Sequence, residues 1–415
     1  MHRRDATRWL IAALVAGLLL PSAARAQEWT RFRGPNGSGI SNARTVPVSF
    51  TEQDFNWKVE LPGFAHSSPV MWGDRIFVTS ADEESARRHV FCLNVADGAP
   101  VWRKSYPFRS DADHDQASSA SATPTVDADR VYVCWTTAAA VEIVALTHAG
   151  EEVWSRDLGP FQAAHGSGAS PMVDDGVVYF MYANDVGGPD SYYIALDAKT
   201  GETVWKLPRR SGQACYATPM IRTAANGARE VIFSHHLHGI TAVHPQTGAV
   251  LWELSDLWPE RTVGSPIEVG GLILGTAGAG GRPNHAVAVR PPAGGRAASV
   301  AFKVARGQPF VPTPIAHNGL IFLWGDSGIV TCVRAATGEL VYQERTDANY
   351  HGSPICIDGK LYAMNDRGEV VVIPASERFE ILARNPTGEG SSATPAVHRG
   401  VLYLRTRTHL ISVGG

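Results

Sequence analysis

The 415 residues are 44% hydrophobic and 19% charged, enough apolar material for a large core, which excludes a disordered chain. Glycine (41) and proline (26) together make roughly one residue in six, a density of turn residues that excludes an all-α protein. A formal net charge of −3 offers no basic excess, which excludes a nucleic-acid-binding surface.

Residues 1–26 read as a secretory signal peptide. Arg3, Arg4 and Arg8 precede the apolar run Trp9–Leu20, and small residues close it at Ala24-Arg25-Ala26. The run is too short for a permanent span, which takes about 20 residues, and no later stretch is long and apolar enough. No cysteine follows it to carry a lipid. The chain is therefore expected to be periplasmic or secreted, with neither membrane span nor lipid anchor. Without the signal, 33 basic residues face 39 acidic ones, a net charge of −6.

Residues 27–54, including Arg31-Phe-Arg-Gly-Pro-Asn-Gly-Ser-Gly39, form an N-terminal extension expected to run over the surface of the domain that follows. Their glycines lack the following Gly-Lys-Ser/Thr of a phosphate loop.

From residue 55 the chain is a repeat. One unit opens eight times with Ser-Pro or Thr-Pro: at Ser68, Thr123, Ser170, Thr218, Ser265, Thr313, Ser353 and Thr394, at intervals of 40 to 55 residues. After most openings come a turn and a short strand, such as Asp175-Gly-Val-Val-Tyr179 and Asp358-Gly-Lys-Leu-Tyr362. A further strand then meets a Gly turn and an aromatic, most clearly in Ala195-Leu-Asp-Ala-Lys-Thr-Gly-Glu-Thr-Val-Trp205, with equivalents at Trp102, Trp154, Trp252, Tyr342 and a degraded Phe302. Short strands between Asp-Gly, Asn-Gly and Thr-Gly turns describe four-stranded blades. The fold class is all-β: an eight-bladed β-propeller of four-stranded antiparallel blades over 55–415. Proline suits an inner strand, whose free edge asks for no donor, and the aromatic suits an outer strand covering the next blade. The last copy stops at His409-Leu-Ile-Ser-Val-Gly-Gly415 without its outer strand, and Phe55-Asn-Trp57-Lys-Val59 has no earlier strands of its own. The N-terminal strand is thus expected to close the last blade.

The Ala-Leu-Asp-x-x-Thr-Gly-x-x-x-Trp unit with its Ser/Thr-Pro opening resembles the pyrroloquinoline-quinone-like (PQQ-like) repeat over residues 55–415. That family includes quinoprotein alcohol dehydrogenases and the lipoprotein propeller of the outer-membrane β-barrel assembly machinery. Trp29-Thr-Arg-Phe-Arg-Gly-Pro-Asn-Gly-Ser-Gly39 with His66-Ser-Ser-Pro69 is most similar to exported bacterial propellers of this type. The resemblance implies PQQ with calcium as a cofactor of the enzyme branch. The adjacent cysteines of that branch are missing here, and its calcium ligands cannot be placed on this sequence. The five cysteines, Cys92, Cys134, Cys215, Cys332 and Cys356, encode neither a zinc site nor a disulfide framework and leave a single bridge open.

Several polar residues stand just before the openings: His66, His114, His165, Tyr216, Arg261, His351 and Glu389. Ring geometry brings them to one mouth of the channel, the usual place for a ligand. Two further clusters are weighed against solvated surface: Asp111-Ala-Asp-His-Asp115, which lacks the Gly and distal Glu of a calcium loop, and His235-His236-Leu-His238, where strand alternation would put His236 and His238 on one face. No catalytic motif is present. The reading is a non-catalytic, monomeric binding or scaffold propeller for a protein or saccharide, with no cofactor and no metal. The alternative is an enzyme: a quinone-dependent dehydrogenase, or a lyase or hydrolase using channel histidines.

Overall fold

A computed structural model describes residues 29–109, 118–163, 168–185, 190–280 and 282–415. The signal peptide, Asp111–Asp115 with His114, and His165 lie outside them. The described chain forms eight four-stranded antiparallel sheets arranged as consecutive blades. Blade one comprises Val70–Trp72, Arg75–Asp82, Arg87–Asn94 and Pro100–Pro107; blade two Thr125–Val126, Arg130–Thr136, Val141–Thr147 and Glu152–Asp157. Blade three is Met172–Asp174, Val177–Tyr182, Ser191–Asp197 and Thr203–Arg209; blade four Met220–Thr223, Arg229–His235, Gly239–Val243 and Val250–Leu254. Blade five is Ile267–Val269, Leu272–Ala277, His285–Arg290 and Ser299–Lys303; blade six Ile315–His317, Leu320–Trp324, Ile329–Arg334 and Leu340–Arg345. Blade seven is Ile355–Ile357, Lys360–Met364, Glu369–Pro374 and Ala383–Pro386; blade eight has Ala396–His398, Val401–Arg405 and His409–Gly414.

The fourth strand of blade eight is Phe55–Glu60, antiparallel to His409–Gly414 with Trp57 opposite Ser412 and Val59 opposite Leu410. The first strand of the repeat domain thus closes the ring on the last, as the missing outer strand predicted, and no end blade is left frayed.

Burial follows from this stacking. Middle strands lie between two neighbouring blades and are buried on both faces, as in Val177–Tyr182, so they read as unbroken apolar runs. The outer strand Phe55–Glu60 alternates between half-buried and exposed. Turns after the inner strands have φ > 0 at both central residues, 48° and 75° at Asp175-Gly176 and 46° and 73° at Asp358-Gly359, the geometry that Asp-Gly supplies for a tight hairpin.

The outer aromatics pin each blade to the next. Trp57 Nε1 donates to Val95 O at 3.2 Å, Trp102 Nε1 to His148 O at 2.8 Å, Trp154 Nε1 to Ala198 O at 3.0 Å and Trp205 Nε1 to Pro245 O at 2.7 Å, each in the following blade. Trp252 departs from the pattern, donating to Glu230 within its own blade at 3.2 Å.

All five cysteines are free and buried, which settles the bridge that the sequence left open. Burial pushes the Cys92, Cys134 and Cys332 thiols up to about 12 and Cys356 to about 11. Inert thiols are the consequence, since the thiolate is the reactive form. A chromogenic disulfide reagent at pH 8 is expected to titrate no thiol in the native protein and five in guanidinium; fast reaction of any native thiol contradicts this arrangement.

Within the N-terminal extension, residues 29–41 run across the inner edges of the blades and plug the channel. Inner strands leave backbone donors without partners at their free edges, and such groups must be satisfied where water is excluded. Met71 N donates to Trp29 O, Val126 N to Thr30 O and Cys356 N to Gly39 O, each at 2.8 Å. Asn36 pairs both ways with the Ile221 backbone, at 2.6 and 2.9 Å. Ile40–Ser41 adds a short parallel strand to the inner edge of blade seven. Arg31 donates to Pro219 O at 2.6 Å and Arg33 to Pro354 O at 3.4 Å. The plug thus ties blades one, two, four and seven together across the axis. Burial lowers the Arg31 and Arg33 guanidinium pKa values to about 10 and about 9, leaving both charged at neutral pH.

Candidate functional site

Above the plug lies a chamber of about 360 Å³ on the propeller axis. Its wall is built from residues at fixed offsets from the eight prolines. The Ser/Thr immediately before each proline forms a lower tier and the residue three before it an upper tier: His66, Ser121, Gly168, Tyr216, Val263, Val311, His351 and Ser392. Extended chain explains the offsets, because alternate residues face the same way. The residue between the tiers faces into the blades and is small, as in Ser67, Ala122, Ala217 and Ala393, all buried. Phe32 of the plug enters the lining between Arg31 and Arg33, and Phe310 and Gly280 complete it.

Seven hydrogen bonds run around the lower tier. Ser68 N donates to Thr123 Oγ1, Thr123 N to Ser170 Oγ, Thr218 N to Ser265 Oγ and Ser265 N to Thr313 Oγ1, each at 3.0 Å. Thr313 N donates to Ser353 Oγ and Ser353 N to Thr394 Oγ1 at 2.9 Å, and Thr394 N returns to Ser68 Oγ at 3.0 Å. The alternating Ser and Thr thus relay from blade to blade. Seven of the eight hydroxyls accept one amide each and keep their own hydrogen for donation.

In the upper tier, the His66 ring is half-buried and held edge-on by Phe64 at 4.7 Å between centroids. Burial, then the neighbouring His351, Arg407 and Arg405, push its pKa down to about 4. It is therefore a neutral imidazole with one donor and one acceptor at neutral pH. Burial holds the Tyr216 phenol well above its usual pKa despite Arg261 beside it, so it stays protonated.

His66, Tyr216 and His351 line the chamber together. Arg261 and Glu389 do not line it: they stand five and six residues before their prolines, beyond the extended stretch. Arg261 lies 3.7 Å from Asp185. Glu389 accepts from Thr406 Oγ1 at 2.6 Å, Thr408 N at 3.1 Å and Thr408 Oγ1 at 3.0 Å. Burial works to raise the Glu389 pKa, but these bonds outweigh it and hold the carboxyl below its usual range. His236-Leu-His238 is the turn between Arg229–His235 and Gly239–Val243, not a strand, so alternation does not pair His236 with His238. Among the described residues no three His, Cys, Asp or Glu side chains gather at one point as a metal site would need. Sequence reasoning overlooked Ser121, Val263, Val311 and Ser392, and took the lower tier only as strand edges. Counting back three residues from every proline would have found the upper tier.

Three comparisons bear on this chain. The family model described as outer membrane protein assembly factor BamB matches residues 54–133 and 86–273, which together exceed half of the chain. A 1-butanol dehydrogenase (cytochrome c) of Thauera butanivorans is 29% identical over 136 residues, which are 31% of this chain and only 18% of that protein. Among solved structures, BamB from Moraxella catarrhalis aligns with a TM-score of 0.59 at 14% identity, covering 86% of this chain and 95% of that one. A europium-containing methanol dehydrogenase aligns with 0.67 at 12% identity, covering 91% and 89%. The structural likenesses speak to fold alone; with the family match across 54–273, the chain belongs to the PQQ-like propeller family described as outer membrane protein assembly factor BamB.

Proposed function

We propose that this protein is an exported, monomeric, non-catalytic binding propeller whose axial chamber takes a small polyhydroxylated ligand, a saccharide. The observation that carries the reading is the lining. It combines a circle of hydroxyls, neutral imidazole and aromatic rings, with no lysine, arginine, aspartate or glutamate among the described lining residues. Hydroxyls and imidazole supply both donors and acceptors for sugar hydroxyls, while Phe32 and Phe310 offer flat apolar surface to the C–H face of a ring. The volume suits one or two sugar units rather than a folded partner. Export rests on the signal sequence, and among the described residues no helix is long and apolar enough to cross a membrane.

The stretch shared with a butanol dehydrogenase favours a second reading, quinone-dependent oxidation. The described residues do not fit that cofactor. Calcium takes oxygen ligands, commonly carboxylate and amide, and the described lining contains neither side-chain carboxylate nor carboxamide.

Titration calorimetry against a panel of neutral and acidic mono- and disaccharides tests the proposal, with native mass spectrometry of the purified protein beside it. Saturable one-to-one binding of a sugar is expected, with Phe32→Ala weakening it about tenfold, the loss of one aromatic contact of about 1.4 kcal/mol. No heat with any sugar, together with alcohol-dependent dye reduction after incubation with PQQ and calcium, would replace it by the enzyme reading.

A further inference from the structure

The upper tier is two-faced. His351, Ser392 and His66 follow one another on blades seven, eight and one, and Val263 and Val311 precede them on blades five and six, with Val311 beside His351 and Val263 across the axis from His66. The eightfold repeat supplies its own control for what stands behind the polar arc. By register, the second-strand residue opposite each opening Ser or Thr is Thr79, Cys134, Met181, Ser234, Thr276, Trp324 and Met364 in blades one to seven. All seven are uncharged, so the fold asks for no charge there. In blade eight the position is Arg405.

Arg405 is fully buried. Its Nη2 donates to Arg407 O at 3.3 Å, while Nε and Nη1 have no hydrogen-bond partner among the described residues. Two residues before it on the same face, Tyr403 packs on Trp57 at 5.9 Å, and Trp57 reaches Val95 of blade one. Arg405 therefore points into the joint between blades eight and one, behind His66. The carboxylate in its field, Glu389, is occupied by Thr406 and Thr408. A guanidinium buried without a paired anion is costly, and its field reaches far in a water-poor interior.

Resting on the saccharide reading above, we infer that the ligand is an acidic sugar of the uronic class. Its carboxylate lies on the arc of His66, Ser392 and His351, and its apolar face lies toward Val263 and Val311. Arg405, and Arg407 at the exposed end of the same arc, act as positioning residues that supply positive potential from behind the wall without touching the sugar.

Matched pairs test this: glucuronate against glucose and galacturonate against galactose, by calorimetry at pH 7 and low salt. At least one uronate is expected to bind tenfold or more tightly than its parent hexose, with the ratio shrinking in 0.5 M salt. Arg405→Met places at blade eight what blades three and seven already carry, and is expected to bring the ratio near one while the thermal midpoint holds. Arg407→Gln, at an exposed site, is expected to halve the preference or more, and it gives the same reading should Arg405→Met fold poorly. Equal binding of acid and parent by the native protein, or a ratio unmoved in both variants, overturns the inference and leaves the saccharide reading standing. Binding of neither sugar of any pair removes both.

Discussion

Gly201→Ala is expected to destabilise the protein by about 3–5 kcal/mol, and Gly176→Ala by only about 1 kcal/mol. Both glycines sit in tight turns of blade three with nearly equal backbone geometry, φ 73° and 75°, so the cost of forcing a Cβ into the left-handed region is shared. Their surroundings differ. A Cβ on Gly176 meets nothing within 4 Å, whereas one on Gly201 would come within 2.7 Å of the Trp154 indole, which blade two lays over the turn. The indole cannot simply step back, because it is buried and its Nε1 is held by Ala198 O at 3.0 Å. The difference between the variants therefore isolates the aromatic-on-glycine joint between blades. Gly98 under Trp57, Gly150 under Trp102 and Gly248 under Trp205 repeat it, with Phe302 on Gly338 between blades five and six. Denaturant unfolding of the two single variants decides the matter: equal losses would mean that the aromatics cover the next blade without locking it.

That joint was legible in the sequence because each of its parts recurs. Eight Ser/Thr-Pro pairs, a Thr-Gly turn and an aromatic at constant spacing fixed blade number and strand order, and the unmatched Phe55–Val59 fixed the closure. Recurrence also singled out three of the eight upper-tier positions, since His66, Tyr216 and His351 share one offset from their prolines. What failed was what occurs once. The plug has no counterpart in the repeat, and its place depends on inner edges whose free donors exist only after the ring has closed. Arg261 and Glu389 looked equivalent to the histidines by proximity to a proline, but extended geometry carries chamber-facing positions back only as far as the third residue. The His235–His238 segment read as a strand because alternation of polar and apolar residues looks the same in a short hairpin turn. Arg405 carried no signal at all until register aligned it with seven uncharged equivalents.

The second large effect concerns acid. Stability is expected to fall as pH drops from about 6.5 toward 4, ahead of the range in which ordinary carboxylates titrate. His66 and His235 are the cause. His235 is fully buried, its Nδ1 accepts from Leu237 N at 3.3 Å, and its ring lies 5.3 Å from that of His238. Burial, then His238, His236 and Arg209, push its pKa down to about 3, as burial and the His351, Arg407 and Arg405 charges push His66 to about 4. In the unfolded chain both take a proton near 6.5, so between 6.5 and 4 the unfolded state binds about two more protons than the folded one. Stability therefore rises with pH through that window and is lost as pH falls, by at most about 1.4 kcal/mol per pH unit for each histidine. The His66 share is smaller because its ring edge meets chamber water. His89, also lowered chiefly by burial, adds in the same direction. Glu389 works in a different window: held below its usual pKa, its contribution is complete above about 4.5 and is lost only beneath that, so it does not blur the comparison. Denaturant unfolding at pH 7 and pH 5 is expected to differ by about 2–3 kcal/mol, with roughly half of the difference removed by His235→Gln. A flat profile across that interval would mean that both imidazoles already accept protons in the folded protein, and a charged His66 would make the chamber wall cationic rather than neutral.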